Sequence, residues 1–263
     1  MFKSNFLVAL RNLKKQKAYS LINIIGMAVG MACFTLFAFM AGSKLNADKF
    51  HKNADRIYSV VQVLQSENKE EEHLAFIPAP MVEALGSEFL EIEDSVRVFP
   101  AGRMTLKRGD DSFYENNILF VDPSFLSVFT FDMAAGNPET ALAEPYSIIL
   151  SETAAFKYFG EENPLGKVLT LQKTINVTVT GIMKNIPRTS SIRFDFLVSL
   201  ETIRAFSNTL DDWTANRTAA FLLLPEEFNL AQFEERLPAF VEKYFEKSPK
   251  SPQHIYLFPF LDF

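Results

Sequence analysis

The stretch that comes nearest to known chemistry is GEENPLGKV, Gly160–Val168, where two glycines and a lysine approach the pattern of a phosphate-binding loop. Such a loop needs four residues between its glycines, so that backbone N–H groups face the phosphate, and Ser or Thr after the lysine. Here five residues separate the glycines, valine follows the lysine, and Glu161 and Glu162 would repel phosphate. The string reads instead as a helix stop followed by a turn. The histidines His51, His73 and His254 are far apart, and none has a second His or Cys at i+2 or i+4. Glu70, Glu71 and Glu72 beside His73 carry metal-ligand chemistry, but a run of acids of this kind reads as a solvated loop. Asp110-Asp111 and Asp211-Asp212 lie in turn-like contexts, with no partner marking them as acid and base. No serine sits in a G-x-S-x-G elbow. Asn176-Val-Thr178 and Asn216-Arg-Thr218 fit the glycosylation triplet, a short pattern that recurs by chance. No catalytic, cofactor-binding or metal-ligating residue is expected.

The composition narrows the class further. Hydrophobic residues make up 48% of the 263, near the globular average, which excludes a disordered or polytopic chain. Lys3, Arg11, Lys14, Lys15 and Lys17 give residues 1–17 a local +5, and removing that from the formal −6 leaves about −11 on the remainder. A basic head on an acidic body excludes nucleic acid as the main partner. The single cysteine, Cys33, rules out a disulfide framework and sites built on several thiolates.

From Ala18 to Ser43 the chain runs 26 residues without a charge, AYSLINIIGMAVGMACFTLFAFMAGS. About 20 helical residues cross a hydrocarbon core about 30 Å thick, so this run is predicted to be a transmembrane helix. It is too long for a signal-peptide core, and AGSKLNADKF after it offers no small-x-small cleavage site. GMAC, ending at Cys33, lies mid-run and lacks the aliphatic residue of a lipoprotein box. The run reads as an uncleaved anchor. Cations stay on the cytoplasmic side, so Lys3, Arg11, Lys14, Lys15 and Lys17 put the amino terminus inside and residues 44–263 outside. Ahead of the anchor, Phe2, Phe6, Ala9, Leu10 and Leu13 fall at helical spacing, the profile of a leader over residues 1–17 lying in the headgroup layer.

Past the anchor, a short polar helix is expected to lead into a strand at Arg56–Gln65. QSENKEEEH is expected to be a loop, and Pro78 and Pro80 to open a helix reaching about Phe89. Strands are predicted near Asp94–Phe99, Arg103–Arg108 and Ser112–Phe120, the last two joined by a turn at Gly109-Asp110-Asp111. Asp122-Pro123 and Asn137-Pro138 read as helix starts, and SETAAFKYFG as a helix capped by Ser151 and stopped by Gly160. TINVTVTGIM alternates as a half-buried strand, and IRFDFLVSL and TAAFLLLP are further strands. Residues 226–247 read as one helix kinked near Pro238. Strands and helices intersperse without a strict βαβ rhythm, so the fold class is α+β.

Five phrases, LRNLKKQKAYSLINIIGMAVG, DKFHKNADRIYSV, FVDPSFLSVFTFDMAAGNPETAL, SIILSETAAFKYFGEENPLGKVLTL and VTVTGIMKNIPRTSSIRFDFLVSL, follow one another over most of residues 7–200. Together they resemble the periplasmic core domain of the macrolide-exporter and FtsX-like family of ABC transporter permeases. The resemblance implies one N-terminal transmembrane helix followed by a two-lobed periplasmic α+β domain over 44–263. Residues 44–102 and 188–263 would form a membrane-proximal lobe and about 103–187 an inserted distal lobe. It implies an inner-membrane permease whose partner, a cytoplasmic ABC ATPase, uses the ATP, so that this chain needs no cofactor. Further implied partners are membrane lipid, other permease chains in a dimer and, in some members, a periplasmic adaptor. The residues carried over, Phe125, Gly136, Phe159, Gly160, Pro164, Gly166, Gly181 and Pro187, are expected to be architectural.

Family permeases continue into further membrane helices, whereas this chain stops at Phe263, with IYLFPFLDF resembling the connector. A truncated permease or a single-pass accessory subunit is therefore expected. The mechanism expected is relay of ATPase-driven motion through the 18–43 helix and the Lys44–Arg56 stalk. The alternatives are a membrane-anchored ligand-binding or sensor domain, and an anchored hydrolase.

Overall fold

The computed structural model describes residues 15, 17–45, 47–65, 70–245 and 251–262. The chain divides into two compact units, Met1–Ala47 and Asp48–Phe263.

In the first unit, helix α1 spans Lys17–Leu45. Its Lys17–Phe39 portion, 23 residues, is long and apolar enough to cross a membrane, and none of it is buried. At about 1.5 Å per residue those residues reach roughly 35 Å, beyond the ~30 Å hydrocarbon core. The absence of charge lets the helix form without a polar face, and Phe34, Phe37 and Phe39 stand 75%, 69% and 76% exposed. The Thr35 hydroxyl donates to the Met31 carbonyl at 2.7 Å, so that polar group is satisfied inside the helix. The expected amphipathic leader, with Lys3, Arg11 and Lys14, lies almost wholly outside the described residues. Lys15 and Lys17 are exposed.

In the second unit the strands are β1 (Ile57–Gln65), β2 (Glu71–Leu74), β3 (Phe76–Ile77), β4 (Asp94–Pro100), β5 (Met104–Arg108), β6 (Asp111–Glu115), β7 (Ile118–Val121), β8 (Met133–Ala135), β9 (Ser147–Ser151), β10 (Val168–Leu171), β11 (Ile175–Met183), β12 (Phe196–Ser199), β13 (Thr218–Leu223) and β14 (His254–Pro259). They form one sheet in the order β14-β1-β13-β4-β7-β12-β9-β11-β10-β5-β6, with β2 also on β1, β3 on β13 and β8 on β11. The pairs β7–β12 and β9–β11 are parallel and the others antiparallel. Helices α2 (Ala79–Glu88), α3 (Phe125–Val128), α4 (Glu152–Phe159), α5 (Leu230–Glu234) and α6 (Leu237–Phe245) complete it, so the fold is α+β.

Alternation along the strands sorts the core by face. Leu119, Val121, Ile149, Leu197, Phe221 and Leu223 join one cluster that continues beneath the whole centre of the sheet. On the opposite face the core is divided. Phe120, Ile148, Val198 and α4 belong to one cluster, whereas Ala220, Leu222, α2 and α6 belong to another. Arg97 sits on that face of β4, paired with Ala220 on one side and two residues before Phe99, which packs against the α4 cluster.

Several expectations need correction. The polar helix expected after the anchor is a run of turns ending in a 3-10 turn at Ala54–Arg56, because its polar groups bond to distant segments. Glu71, Glu72 and His73 are not loop but strand β2, paired to Leu64 and its neighbours in β1. The strand expected over 112–120 breaks into β6 and β7, which lie on different neighbours, β5 and β4. Asp122 caps no helix. Its side chain is taken by Arg97, and α3 starts at Phe125 after Ser124. The Asn137 side chain accepts the Glu139 N–H at 3.0 Å over a turn that does not grow into a helix. Residues 226–247 hold two helices, α5 and α6, since Pro238 opens a helix more readily than it continues one. Apart from these corrections, most of IYLFPFLDF lies in edge strand β14, paired to β1.

Candidate functional site in the neck of the folded domain

The residues that follow α1 in the chain, Asp48–Arg56, form a neck fastened to four distant segments. Asp48 adopts a positive φ of 56°, which turns its carboxylate and its N–H toward one loop. Its N–H donates to the Thr189 carbonyl at 3.1 Å, and its carboxylate accepts the Ser191 N–H at 2.9 and 3.1 Å. Lys52 N–H donates to the Thr130 hydroxyl at 2.9 Å, and the Asn53 amide donates to the Ser127 carbonyl at 3.2 Å. Arg56 Nε donates to the Leu224 carbonyl at 2.8 Å, and its guanidinium pairs with Glu93. Polar side chains that would favour a solvated helix in isolation thus find better partners in the folded domain.

His51 is the centre of the neck. It is 3% exposed, and neither ring nitrogen has a hydrogen-bond partner. The rings of Phe50, Phe131, Phe129 and Phe260 surround it at centroid distances of 4.0, 4.7, 5.5 and 5.8 Å. Asp48 Oδ1 lies 3.9 Å from Nε2. Burial disfavours the imidazolium and pushes its pKa down to about 4, while Asp48 pulls weakly the other way. At neutral pH the ring is an uncharged packing element. Phe260, late in the chain, also packs on Phe129 at 5.2 Å, so residues before β1 and after β14 share this cluster. A cavity of about 270 Å³ opens beside it, walled by Phe50, Phe131 and Pro187, with Lys184 paired to Asp132 at 3.1 Å.

A second polar constellation sits at the seam between the two clusters on the divided face. Arg97 is 7% exposed. Its Nε and Nη2 donate to the two oxygens of Asp122 at 2.9 and 2.8 Å, and Nη1 donates to Glu83 of α2 at 2.6 Å. Glu201, from the 3-10 helix Leu200–Ala205, lies 3.8 Å away. Burial pushes the guanidinium pKa down, but Asp122 and then Glu83 outweigh it and raise it. A buried cation held by two carboxylates in a fork is structural chemistry.

Of the motif residues, Phe125 is fully buried and stacks on Phe131 at 5.8 Å. Phe159 lies under the Arg108 guanidinium at 4.3 Å. Gly160 ends α4, its N–H bonded to the Phe156 carbonyl at 2.8 Å, and the Pro164 carbonyl accepts Lys167 N–H at 3.0 Å. Gly166 N–H reaches the Val179 carbonyl at 2.8 Å. Gly136 and Gly181 face each other where β8 meets β11. A Cβ on Gly136 would stand 2.7 Å from the Thr180 carbonyl oxygen. The Pro187 carbonyl accepts Ser190 N–H at 3.0 Å, shaping the loop that Asp48 holds. In the loop-like string, Glu162 pairs with Arg108 and Lys167, and Lys167 followed by Arg108 holds its carboxyl below the usual range. Asp48, His51 and Arg97 carry no role in the sequence reading. Arg97 reaches partners 14 and 25 residues away, Asp48 holds Ser191 143 residues on, and His51 packs on Phe260 late in the chain; the one signal, for Asp48 and His51 alone, is that DKFHKNADR belongs to a shared phrase. Among the described residues, no group of three or more His, Cys, Asp or Glu could hold a metal ion.

The family model for the MacB-like periplasmic core domain matches residues 20–240. The chain belongs to the MacB-like periplasmic core domain family. Its fold is similar to that of a domain of a protein assigned as a permease from Porphyromonas gingivalis, at 24% identity and TM-score 0.68 over 80% of this chain and 91% of that one. It is also similar to the periplasmic region of MacB from Actinobacillus actinomycetemcomitans, at 15% identity and TM-score 0.54, covering 79% of this chain and 90% of that one. The extracellular domain of the noncanonic ABC-type transporter YknZ from Gram-positive bacteria aligns at 14% identity and TM-score 0.53, covering 75% and 98%. No curated protein matches the chain significantly. One apolar helix followed by a domain of this family is consistent with a single-pass membrane protein, and the family is a component of transporter permeases.

Proposed function

We propose that the chain is a permease-type subunit of an ABC transporter that carries motion from a cytoplasmic ATPase to an extracytoplasmic domain for export, and that it is not itself an enzyme. The observation that carries this reading is the fastening of the neck. Residues directly after the apolar helix hold, through Asp48, the loop that follows β11, and through Arg56 they hold Leu224 and Glu93. Fastened in this way, residues 48–56 move with the folded domain, where a glycine-rich tether would not. In this proposal α1 spans the inner membrane. Lys3, Arg11, Lys14, Lys15 and Lys17 lie in the cytoplasm, and 44–263 lies in the periplasm. The partners are lipid, an ABC ATPase that consumes the ATP, and other permease chains in a dimer, with a periplasmic adaptor as a further partner. In the same proposal about 44–102 and 188–263 form a membrane-proximal part and about 103–187 a distal part.

Affinity isolation of the full chain from membranes in mild detergent tests the reading. Recovery of an ABC ATPase with the chain, in amounts that rise when ATP hydrolysis is blocked, is the expected result. Recovery of the chain free of any ATPase would overturn it and favour an anchored sensor domain.

A further inference from the structure

On the divided face, beside the Arg97 seam, lies a groove of about 430 Å³. Its walls come from four separate parts of the chain. Phe76 is in β3, Phe99 is next to last in β4, Met104 opens β5, and Phe206 terminates the 3-10 helix, while Asn216 and Arg217 lead into β13. Phe76 and Phe206 are 42% and 45% exposed, so two aromatic rings face solvent across one concavity. Exposed phenylalanines gathered at a groove, unlike ones scattered over a surface, mark a binding site.

The polar rim sets the class of ligand. No hydrogen bond, ion pair or ring contact engages the Arg217 guanidinium or the Asn216 amide among the described residues, although Arg56, Arg97, Arg108 and Arg204 all have carboxylate partners. Among the described residues, no acidic side chain lines the groove. Glu201 and Asp211, near Phe206 in sequence, are both taken by Arg204. The body as a whole is acidic, but at physiological salt its field is screened over about 8 Å, so the local unpaired cation decides. A planar guanidinium with an amide donor beside it fits the two oxygens of a carboxylate or a similar oxyanion.

We infer that this groove binds a small amphipathic anion. Its flat apolar body lies among Phe76, Phe99 and Phe206, and its carboxylate meets Arg217 and Asn216. A neutral apolar molecule would leave both donors unused, and a cation would face Arg217. The volume suits a small molecule rather than a folded partner. The inference stands on the groove alone and does not depend on the permease reading.

Fluorine NMR relaxation of 6-fluoro-2-naphthoate, with the full chain in nanodiscs of zwitterionic lipid and empty nanodiscs as control, tests it. The neutral 6-fluoro-2-naphthamide serves as the matched probe. The expected result is binding of the acid about tenfold tighter than the amide, the worth of one charge-assisted hydrogen-bonded pair. Arg217→Gln, at an exposed position, should remove that preference while leaving amide binding in place, and Phe206→Ala should weaken both probes. Equal binding of acid and amide, an acid preference that survives Arg217→Gln, or no chain-dependent binding of either probe at millimolar concentration would overturn the inference.

Discussion

The carboxylate of Asp48 accepts the backbone N–H of Ser191, a residue 143 positions later in the chain, through both of its oxygens at 2.9 and 3.1 Å. That pairing closes most of the folded domain into one loop, and it does so three residues after the last residue of α1. The functional proposal depends on how firmly this closure holds, and its stability can be measured.

Asp48→Ala removes the acceptor and places alanine at φ 56°, so the full chain should lose about 2–4 kcal/mol. Asp48→Asn retains an acceptor and tolerates the left-handed region, and should lose less. Denaturant unfolding followed by the single tryptophan, Trp213, which stacks on Tyr244 at 5.5 Å, reads both variants. Equal midpoints for Asp48→Ala and the parent would mean that the contact contributes nothing.

His51 makes stability depend on pH in a defined direction. Burial depresses its pKa in the folded state from 6.5 to about 4, so the unfolded chain binds the proton more readily. Stability from this group is therefore unaffected above about pH 6.5, falls by roughly 1.4 kcal/mol per pH unit below it, and levels off below about pH 4. His51→Phe, which keeps an aromatic ring in the cage, should flatten the loss between pH 6.5 and 4. Parallel pH–stability curves for parent and variant would contradict the assignment.

At the seam, Arg97→Met strands Asp122 and should cost about 3–5 kcal/mol. Arg97→Lys should recover only part of that, because one ammonium cannot span the Asp122 fork and reach Glu83 together. Thermal unfolding of the two variants checks the order. A lysine variant as stable as the parent would show that charge alone, rather than fork geometry, holds the seam.

The facing glycines should respond unequally. In Gly136→Ala the new methyl meets the Thr180 carbonyl oxygen at 2.7 Å and the Gly181 Cα at 2.9 Å, at φ 98°. Backbone cannot step aside, so this variant should be the more destabilised. In Gly181→Ala the short contact is the Met133 methyl, the end of a flexible side chain that can rotate away. Unfolding midpoints of the two variants decide it, and a greater loss for Gly181→Ala would contradict the packing described at β8–β11.

The long apolar helix was legible because 26 uncharged residues admit few other structures, and β11 was legible because its alternation of apolar and polar residues survives in the fold as alternating burial. Ser151 as the cap of α4 follows local rules, and its Oγ accepts Ala154 N–H at 3.1 Å. Asp122-Pro123 misled for the opposite reason. The carboxylate that local rules assign to a cap is used by Arg97, 25 residues earlier. The neck misled in the same way, since Asp48 and Asn53 reach partners that no short window contains. Sequence periodicity reports which face of an element is buried, whereas the polar contacts that fasten one element to another are set by tertiary placement.

Hydrogen exchange at the Ser191 amide tests the central claim, that the neck and the domain behave as one body, more directly than any other measurement. It should be followed in the full chain in nanodiscs, with and without ATP and the ABC ATPase that the proposal expects to be recovered with it. The expected result is exchange as slow as that of the β11 amides under every condition. Exchange at the rate of an open loop, or protection that disappears when ATP is added, would contradict it.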